Sequence, residues 1–230
     1  MPIPLPPPAA GAPRARCTVR CLRASALLAA VSAVLLTLVA AEWGPLESLD
    51  RWVADGLHRV AVTHPGLTRT ARVLTDWVWS PTAMRAALVA VAAWLAWRRE
   101  LPLVLWAAGT AVLGTALQQG LKFAIGRDRP RWPDPVDSAK YSAFPSGHAL
   151  TATVVCGLLV WLLVLHGARR AWIRAAVAVA AVSVVGVSLT RVYLGVHWLS
   201  DVTGGTLLGA VLLLGAVGAY GLVGRRARGG

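Results

Sequence analysis

The apolar residues gather into six runs: Ala24–Ala41, Pro81–Trp97, Leu101–Leu121, His148–Leu165, Trp172–Leu189 and Val202–Val223. Each is near the ~20 residues that a helix needs to cross the hydrocarbon core of a bilayer. No water is present there to satisfy backbone N–H and C=O groups, so the runs predict helices. The expected fold is all-α, a polytopic membrane protein with six transmembrane helices.

The intervening stretches have their own character. Residues 1–23 are rich in Pro and Arg and predict a disordered cytoplasmic tail. The first apolar run has arginines in front and Val39-Ala40-Ala41 at its end, which is the outline of a signal peptide. It is longer than the h-region of about 7–15 residues, so an uncleaved first helix is expected. Residues 42–79 mix polar and apolar positions and carry Trp43, Trp52, Trp77 and Trp79. They predict an interfacial loop with short helices. Residues 24–223 then form one transmembrane domain, and 224–230 a basic cytoplasmic tail.

Composition agrees with a lipid setting. Apolar residues make up 57% of the chain and charged residues 14%, with a mean hydropathy of +0.61. A soluble domain carries roughly a quarter charged residues. The formal charge of +13 invites a nucleic-acid reading. The arginines, however, sit in short bunches at the ends of apolar runs, where they act as topology signals. No nucleic-acid partner is expected. With both termini placed in the cytoplasm, the tails and the links 98–100 and 166–174 hold twelve arginines against the single acid Glu100. The basic short links favour that orientation in the plasma membrane.

Three polar clusters interrupt the apolar pattern: Lys122 with Arg129-Pro130, Pro145-Ser146-Gly147-His148, and Thr190-Arg191 with His197 and Asp201. Ionisable residues set into membrane spans are costly and by default functional, and these clusters reach into the ends of the apolar runs. In the expected topology all three lie at the outer membrane face. Lys122 and Arg129 are seven apart, about two helical turns, and share a face if the helix persists until Pro130 ends it. The Arg could grip a phosphate bidentately and the Lys as a point charge. Ser146 is a good N-cap for the fourth apolar helix, whose free amides and dipole make an anion site. Gly147 lets an oxygen approach the backbone, and His148 in the first turn could give a proton to a leaving oxygen. His197 and Asp201 are four apart, so on a helix the carboxylate meets one imidazole nitrogen and leaves the other free to attack. Taken singly, each cluster also reads as a helix cap or an interfacial charge.

In this order and spacing the clusters resemble the type 2 phosphatidic acid phosphatase (PAP2) superfamily. Its pattern is Lys, six residues, Arg-Pro; then Pro-Ser-Gly-His; then Ser-Arg, five residues, His, three residues, Asp. The chain departs from it only at Thr190, which keeps a hydroxyl. The resemblance spans roughly residues 100–222 and implies the membrane-bound lipid phosphatase branch. It implies that His197 attacks phosphorus to form a phosphohistidine, that Asp201 orients it, and that His148 protonates the leaving group and then activates water. It further implies that Lys122, Arg129, Ser146, Gly147 and Arg191 hold the phosphoryl oxygens, with no metal or cofactor. The implied substrate is a lipid phosphate or pyrophosphate. An outward-facing site ranks undecaprenyl diphosphate first, with phosphatidylglycerophosphate or phosphatidate next.

Three other readings compete. A phosphotransferase would use the same site and pass the group to an alcohol. A transporter would place charges deep inside several helices. A metal site could use His148, His197 and Asp201, although the neighbouring cations would repel the ion. Among smaller features, Gly205 and Gly209 predict a close helix contact, and the 11 Trp predict interfacial anchors. Arg127, Asp128 and Arg131 read as generic loop charge, and His58, His64 and His166 as surface residues.

Overall fold

The computed structural model describes residues 12–229. Regular structure among them is helical: α1 (Ala12–Ala40), α2 (Gly44–Thr63), α3 (Pro65–Val73), α4 (Pro81–Trp97), α5 (Leu101–Ile125), α6 (Gly147–Leu165), α7 (Arg170–Tyr193) and α8 (Leu199–Gly229). Six stretches of the described residues are long and apolar enough to cross a membrane: Cys17–Ala40, Pro65–Trp97, Leu101–Ile125, Gly147–Leu165, Arg170–Tyr193 and Leu199–Val223. The chain is thus an all-α, multi-pass membrane protein.

Two boundaries differ from expectation. The segment expected to be disordered through residue 23 is helical from Ala12. Pro13 falls in the first turn, where its missing N–H costs nothing, and Ala, Leu and Arg beyond it are good helix formers. Residues 1–11 of that expected tail lie outside the described residues. In the stretch 42–79, α2 is a full 20-residue helix, and α3 runs through a π-helical segment, Leu74–Val78, toward α4. The second span therefore begins at Pro65 rather than Pro81. Ser80 restarts the helix, its hydroxyl accepting from the Ala83 N–H at 3.0 Å, with Pro81 in the first helical position.

Helix α6 is the centre of the bundle. It is apolar on all sides, as a buried helix must be. Its Leu150, Val154, Val155 and Leu158 pack with Leu88 of α4 and Ala107 of α5. Helix α8 lies close against it through glycines. A side chain at Gly209 would stand 2.8 Å from the Thr153 Cβ and 3.0 Å from the Leu150 carbonyl oxygen. The small-residue face expected from Gly205 and Gly209 is thus used within the chain. Helix α1 pairs antiparallel with α8, Leu22 meeting Gly218 and the Ser25 hydroxyl donating to the Val211 carbonyl at 2.9 Å. That pairing brings the start of α1 to the end of α8, away from the start of α8.

The other end of the bundle gathers the C-terminal ends of α5 and α7 and the N-terminal ends of α6 and α8. Helix α2 closes over it. One stripe of α2 is buried, comprising Asp50, Ala54, His58 and Ala61. Its Val53 and Leu57 pack on Ala149, Val192 and Val202.

Candidate active site

Helix α5 delivers Lys122 on its buried stripe, which reads Leu103, Ala107, Thr110, Gly114, Gln118 and Lys122. The ammonium donates to the carbonyls of Ser142 and Ala143, the latter at 3.4 Å. The helix then stops earlier than the sequence predicts. Gly126 takes the left-handed conformation with φ 65°, and its N–H closes on the Lys122 carbonyl at 3.1 Å. That is a helix stop that glycine adopts at little cost. Arg129 therefore lies in the loop beyond α5, and Lys122 and Arg129 converge without sharing a helical face. Pro130 plays no part in the termination.

Arg129 is also more committed than expected. Its Nε donates to the Tyr141 carbonyl at 2.8 Å. Its Nη2 donates to Lys140 at 3.1 Å and to Ser142 at 3.4 Å. Its Nη1 donates to the Val196 carbonyl and approaches His197 Nε2 at 3.1 Å. A fork so engaged does not match the free bidentate grip expected of it. It fastens the loop instead and directs one N–H at the imidazole.

His197 stands before α8, two residues ahead of Leu199, so it does not share a helix with Asp201. The pairing arises at the helix start. Asp201, the third residue of α8, accepts the Trp198 N–H at 2.8 Å through Oδ2. An acid at this position commonly closes back on the chain entering a helix. The same Oδ2 meets His197 Nδ1 at 3.2 Å. Nδ1 is then the donor, and Nε2 presents its lone pair toward Arg129. His197 is 2% exposed and Asp201 0%. Burial, then the charges of Arg129, Arg191 and Lys122, hold the His197 ring well below the ordinary histidine range. It is a neutral imidazole with a directed lone pair.

The second cluster closes the site from α6. Ser146 holds the N-cap position of that helix, yet its hydroxyl makes no capping bond. It is one of few buried polar atoms among the described residues without a hydrogen-bond partner. Its backbone N–H donates to the Asp201 carbonyl at 2.9 Å, which locks α6 to α8. Gly147 faces Gln118, where a side chain would stand 3.1 Å from Nε2. The half-buried His148 ring lies near enough to the cations Arg191, Arg129 and Lys122 to feel their charges.

Arg191, in the last turn of α7, is 5% exposed. Its Nε has no partner, and its Nη1 is 3.9 Å from Asp137. The Thr190 hydroxyl bonds back to the Val187 carbonyl at 3.0 Å, within its own helix. After Tyr193 the chain turns at Gly195, whose φ of 68° suits glycine. The indole of Trp132 lies where a side chain would stand there and donates to the Gly195 carbonyl at 2.9 Å. A cavity of about 350 Å³ opens beside these residues, bordered by Arg129, Arg131, Trp132, Asp137 and Val196.

All eight residues singled out in the sequence meet at this end of the bundle. Several others were missed. Arg127, read as loop charge, is 14% exposed and bridges Asp201 and Asp50, each at 2.7 Å. His58, read as a surface residue, is buried. It stacks on Trp132 at 4.0 Å and meets Asp134 at 3.3 Å. His166, by contrast, is exposed as expected and pairs with Glu100 at 2.9 Å, far from the site. Several Trp are exposed as interfacial anchors would be, Trp77 and Trp97 among them, but Trp132 is a packing element. Asp50 carried a readable signal, being the one acid on the apolar stripe of α2. Among the described residues no three His, Cys, Asp or Glu side chains converge as metal ligands. Both Asp201 oxygens are already taken by donors.

The same residues place the chain among known proteins. It is 39% identical over 104 residues to phosphatidylglycerophosphatase B of Bacillus subtilis (strain 168), an alignment covering 44% of this chain and 51% of that protein. The chain thus spans about half the length of that curated relative. Its fold matches the crystal structure of a transmembrane PAP2 type phosphatidylglycerolphosphate phosphatase from Bacillus subtilis. The TM-score is 0.74 at 24% identity, covering 85% of this chain and 94% of that one. The PAP2 superfamily model matches residues 103–224, which contain every residue of the three polar clusters. With the pattern in the sequence, the convergence in the fold and that match in agreement, the chain belongs to the PAP2 superfamily.

Proposed function

We propose that this protein is a membrane lipid phosphatase that releases inorganic phosphate from a lipid phosphate through a phosphohistidine on His197. The observation that carries the reading is the geometry of the His197 ring, held by Asp201 at Nδ1 with Nε2 turned toward Arg129. In the first step Nε2 forms a bond to phosphorus as the bond to the leaving oxygen breaks. His148, which the anionic substrate phosphate allows to hold a proton among the neighbouring cations, gives that oxygen the proton. Nδ1 keeps its own proton, and the Asp201 carboxylate offsets the positive charge on the ring. In the second step a water gives its proton to His148 and its oxygen to phosphorus, and the N–P bond breaks.

Unpartnered buried groups supply the hold on the phosphoryl oxygens: the Arg191 Nε and the Ser146 hydroxyl. The Gly147 end of α6 and the Lys122 ammonium complete it. Donors fixed in advance around the developing charge are the main source of rate in phosphoryl transfer.

Phosphatidylglycerophosphate is the leading substrate, because the relatives above are named for it. This reverses the order reached from the position of the site alone, which ranked undecaprenyl diphosphate first. The orientation proposed is both termini in the cytoplasm and the site at the outer face of the plasma membrane, on the strength of the arginines in the links between helices.

The test is phosphate release by the purified full chain in detergent from phosphatidylglycerophosphate, phosphatidate and undecaprenyl diphosphate. The fastest release is expected from phosphatidylglycerophosphate, unchanged by a chelator. Transfer of the phosphoryl group to an added alcohol in place of water would make the protein a phosphotransferase. Near wild-type rate in His197→Ala would sink the mechanism.

A further inference from the structure

We infer that Arg127, fixed by Asp50 of α2, is a positioning residue for His197, acting through Asp201. The inference rests on the reading of His197 as nucleophile.

Asp201 has two carboxylate oxygens with divided tasks. Oδ2 receives the Trp198 N–H at 2.8 Å and the His197 Nδ1 at 3.2 Å. Oδ1 receives Arg127 Nη1 at 2.7 Å. The orientation of the plane that faces His197 is therefore set from the other side by Arg127. The guanidinium is itself held at both ends. Its Nη2 donates to Asp50 Oδ2 at 2.7 Å, and its Nη1 also donates to the Ser200 hydroxyl at 2.6 Å. Asp50 is locked in turn, its Oδ1 accepting the Ser200 N–H at 2.8 Å and its Oδ2 the Ser200 hydroxyl. Asp50 is 1% exposed and Asp201 0%. Two buried carboxylates thus share one cation, and neither has water to replace it.

None of the hydrogen bonds of Arg127 goes to His197, so its action on the ring is indirect. Remove the cation, and Oδ1 of a fully buried carboxylate loses its donor. Such a group rotates or takes up a proton. A rotated Asp201 no longer accepts the Nδ1–H, and a protonated one accepts it only as a neutral carbonyl. The ring then loses the tautomer that leaves Nε2 free, and the charge formed on attack loses its counter-ion. Asp50 precedes the region matched by the family model, which begins at residue 103. The working site of this chain accordingly draws on a helix that carries none of the family motif.

A mere tie between α2 and α8 would show in stability alone. Positioning should show in turnover, with binding spared. Phosphate release from phosphatidylglycerophosphate by the full chain in detergent separates the two. Arg127→Met should lower kcat about 100-fold with KM within about threefold, the range seen when groups behind a functional ligand are removed. Arg127→Lys, which restores the charge without the fork, should recover to within about tenfold of wild type. Asp50→Asn should lower kcat about tenfold at unchanged KM. Should Arg127→Met fail to fold, the last two variants decide, and wild-type kcat in both overturns the inference. So does wild-type kcat in a folded Arg127→Met, or a loss confined to KM. His197→Ala in the same series tests the underlying reading separately. If it stays active, the nucleophile is wrong; if it is dead while the Arg127 variants run at full rate, only the positioning role is wrong.

Discussion

Two arginines separated by one residue divide the work of this end of the molecule. Arg129 faces forward, toward His197 Nε2 and the loop that borders the cavity. Arg127 faces back, into the buried pair of Asp50 and Asp201. The same contrast holds between regions. The ends of α6 and α7 retain buried polar atoms without partners, at Ser146 and Arg191. Behind them, the groups around Asp50, Ser200 and Arg127 are matched donor to acceptor. A site that must bind a charged ligand leaves some groups unsatisfied until the ligand comes. The ties around Asp50 and Arg127 leave none of theirs open, because an unpaired buried polar group costs about 1–3 kcal/mol with no later compensation.

Substitutions on the two sides of this contrast should fail in different ways. The largest effect is expected at the reacting ring: His197→Ala should lose at least about 10⁴-fold in kcat, measured as phosphate release. Asp201→Asn should lose about 10³-fold, since the ring then has a hydrogen-bonding partner of the wrong kind. Arg191→Gln removes a binding group on the forward side. It should lower kcat/KM about 100-fold, mainly through KM, or about 2.7 kcal/mol. A loss confined to kcat would move Arg191 to the backward-facing set. On the scaffold side, His58→Ala removes the stack on Trp132 and the contact with Asp134. It should cost about 1–2 kcal/mol of stability in thermal melts and change kcat less than about threefold.

The smallest effect concerns pH. The folded His197 ring resists protonation, whereas the unfolded chain takes up that proton near pH 6.5, at about the free histidine value. The unfolded state then binds more protons as pH falls, so stability drops below about pH 6.5. Melting of His197→Asn should depend less steeply on pH between about 6.5 and 5 than melting of the wild type.

The parts of the site legible in the sequence are those tied to local rules. Lys122, Arg191 and Asp201 sit in the first or last turns of apolar helices and Ser146 at the residue before one, so placing the helices places them. The Gly205 and Gly209 face was readable for the same reason. His197 and Arg129 were legible as members of the site but not in their geometry, because each lies just outside a helix. Gly126 had moved the end of α5 forward, and the Asp201 carboxylate closes back on the entry to α8. Arg127 and Asp50 were not legible as a pair. Their contact joins residues far apart in sequence, and a lone Arg among loop charges looks like any other. His58 failed similarly, since its partner Trp132 belongs to the loop between α5 and α6.

The pairing of α1 with α8 has a consequence for the order in which the molecule is made. Ribosomes deliver α1 well before α8, yet these two lie side by side, Leu22 on Gly218. Helix α1 must wait in the bilayer through the synthesis of α2 to α7 before its neighbour arrives. The same late helix carries Asp201 and follows directly on His197. Completion of the fold and completion of the nucleophile's surroundings are therefore one event, and a nascent chain stalled before residue 199 would have inserted spans but no working centre.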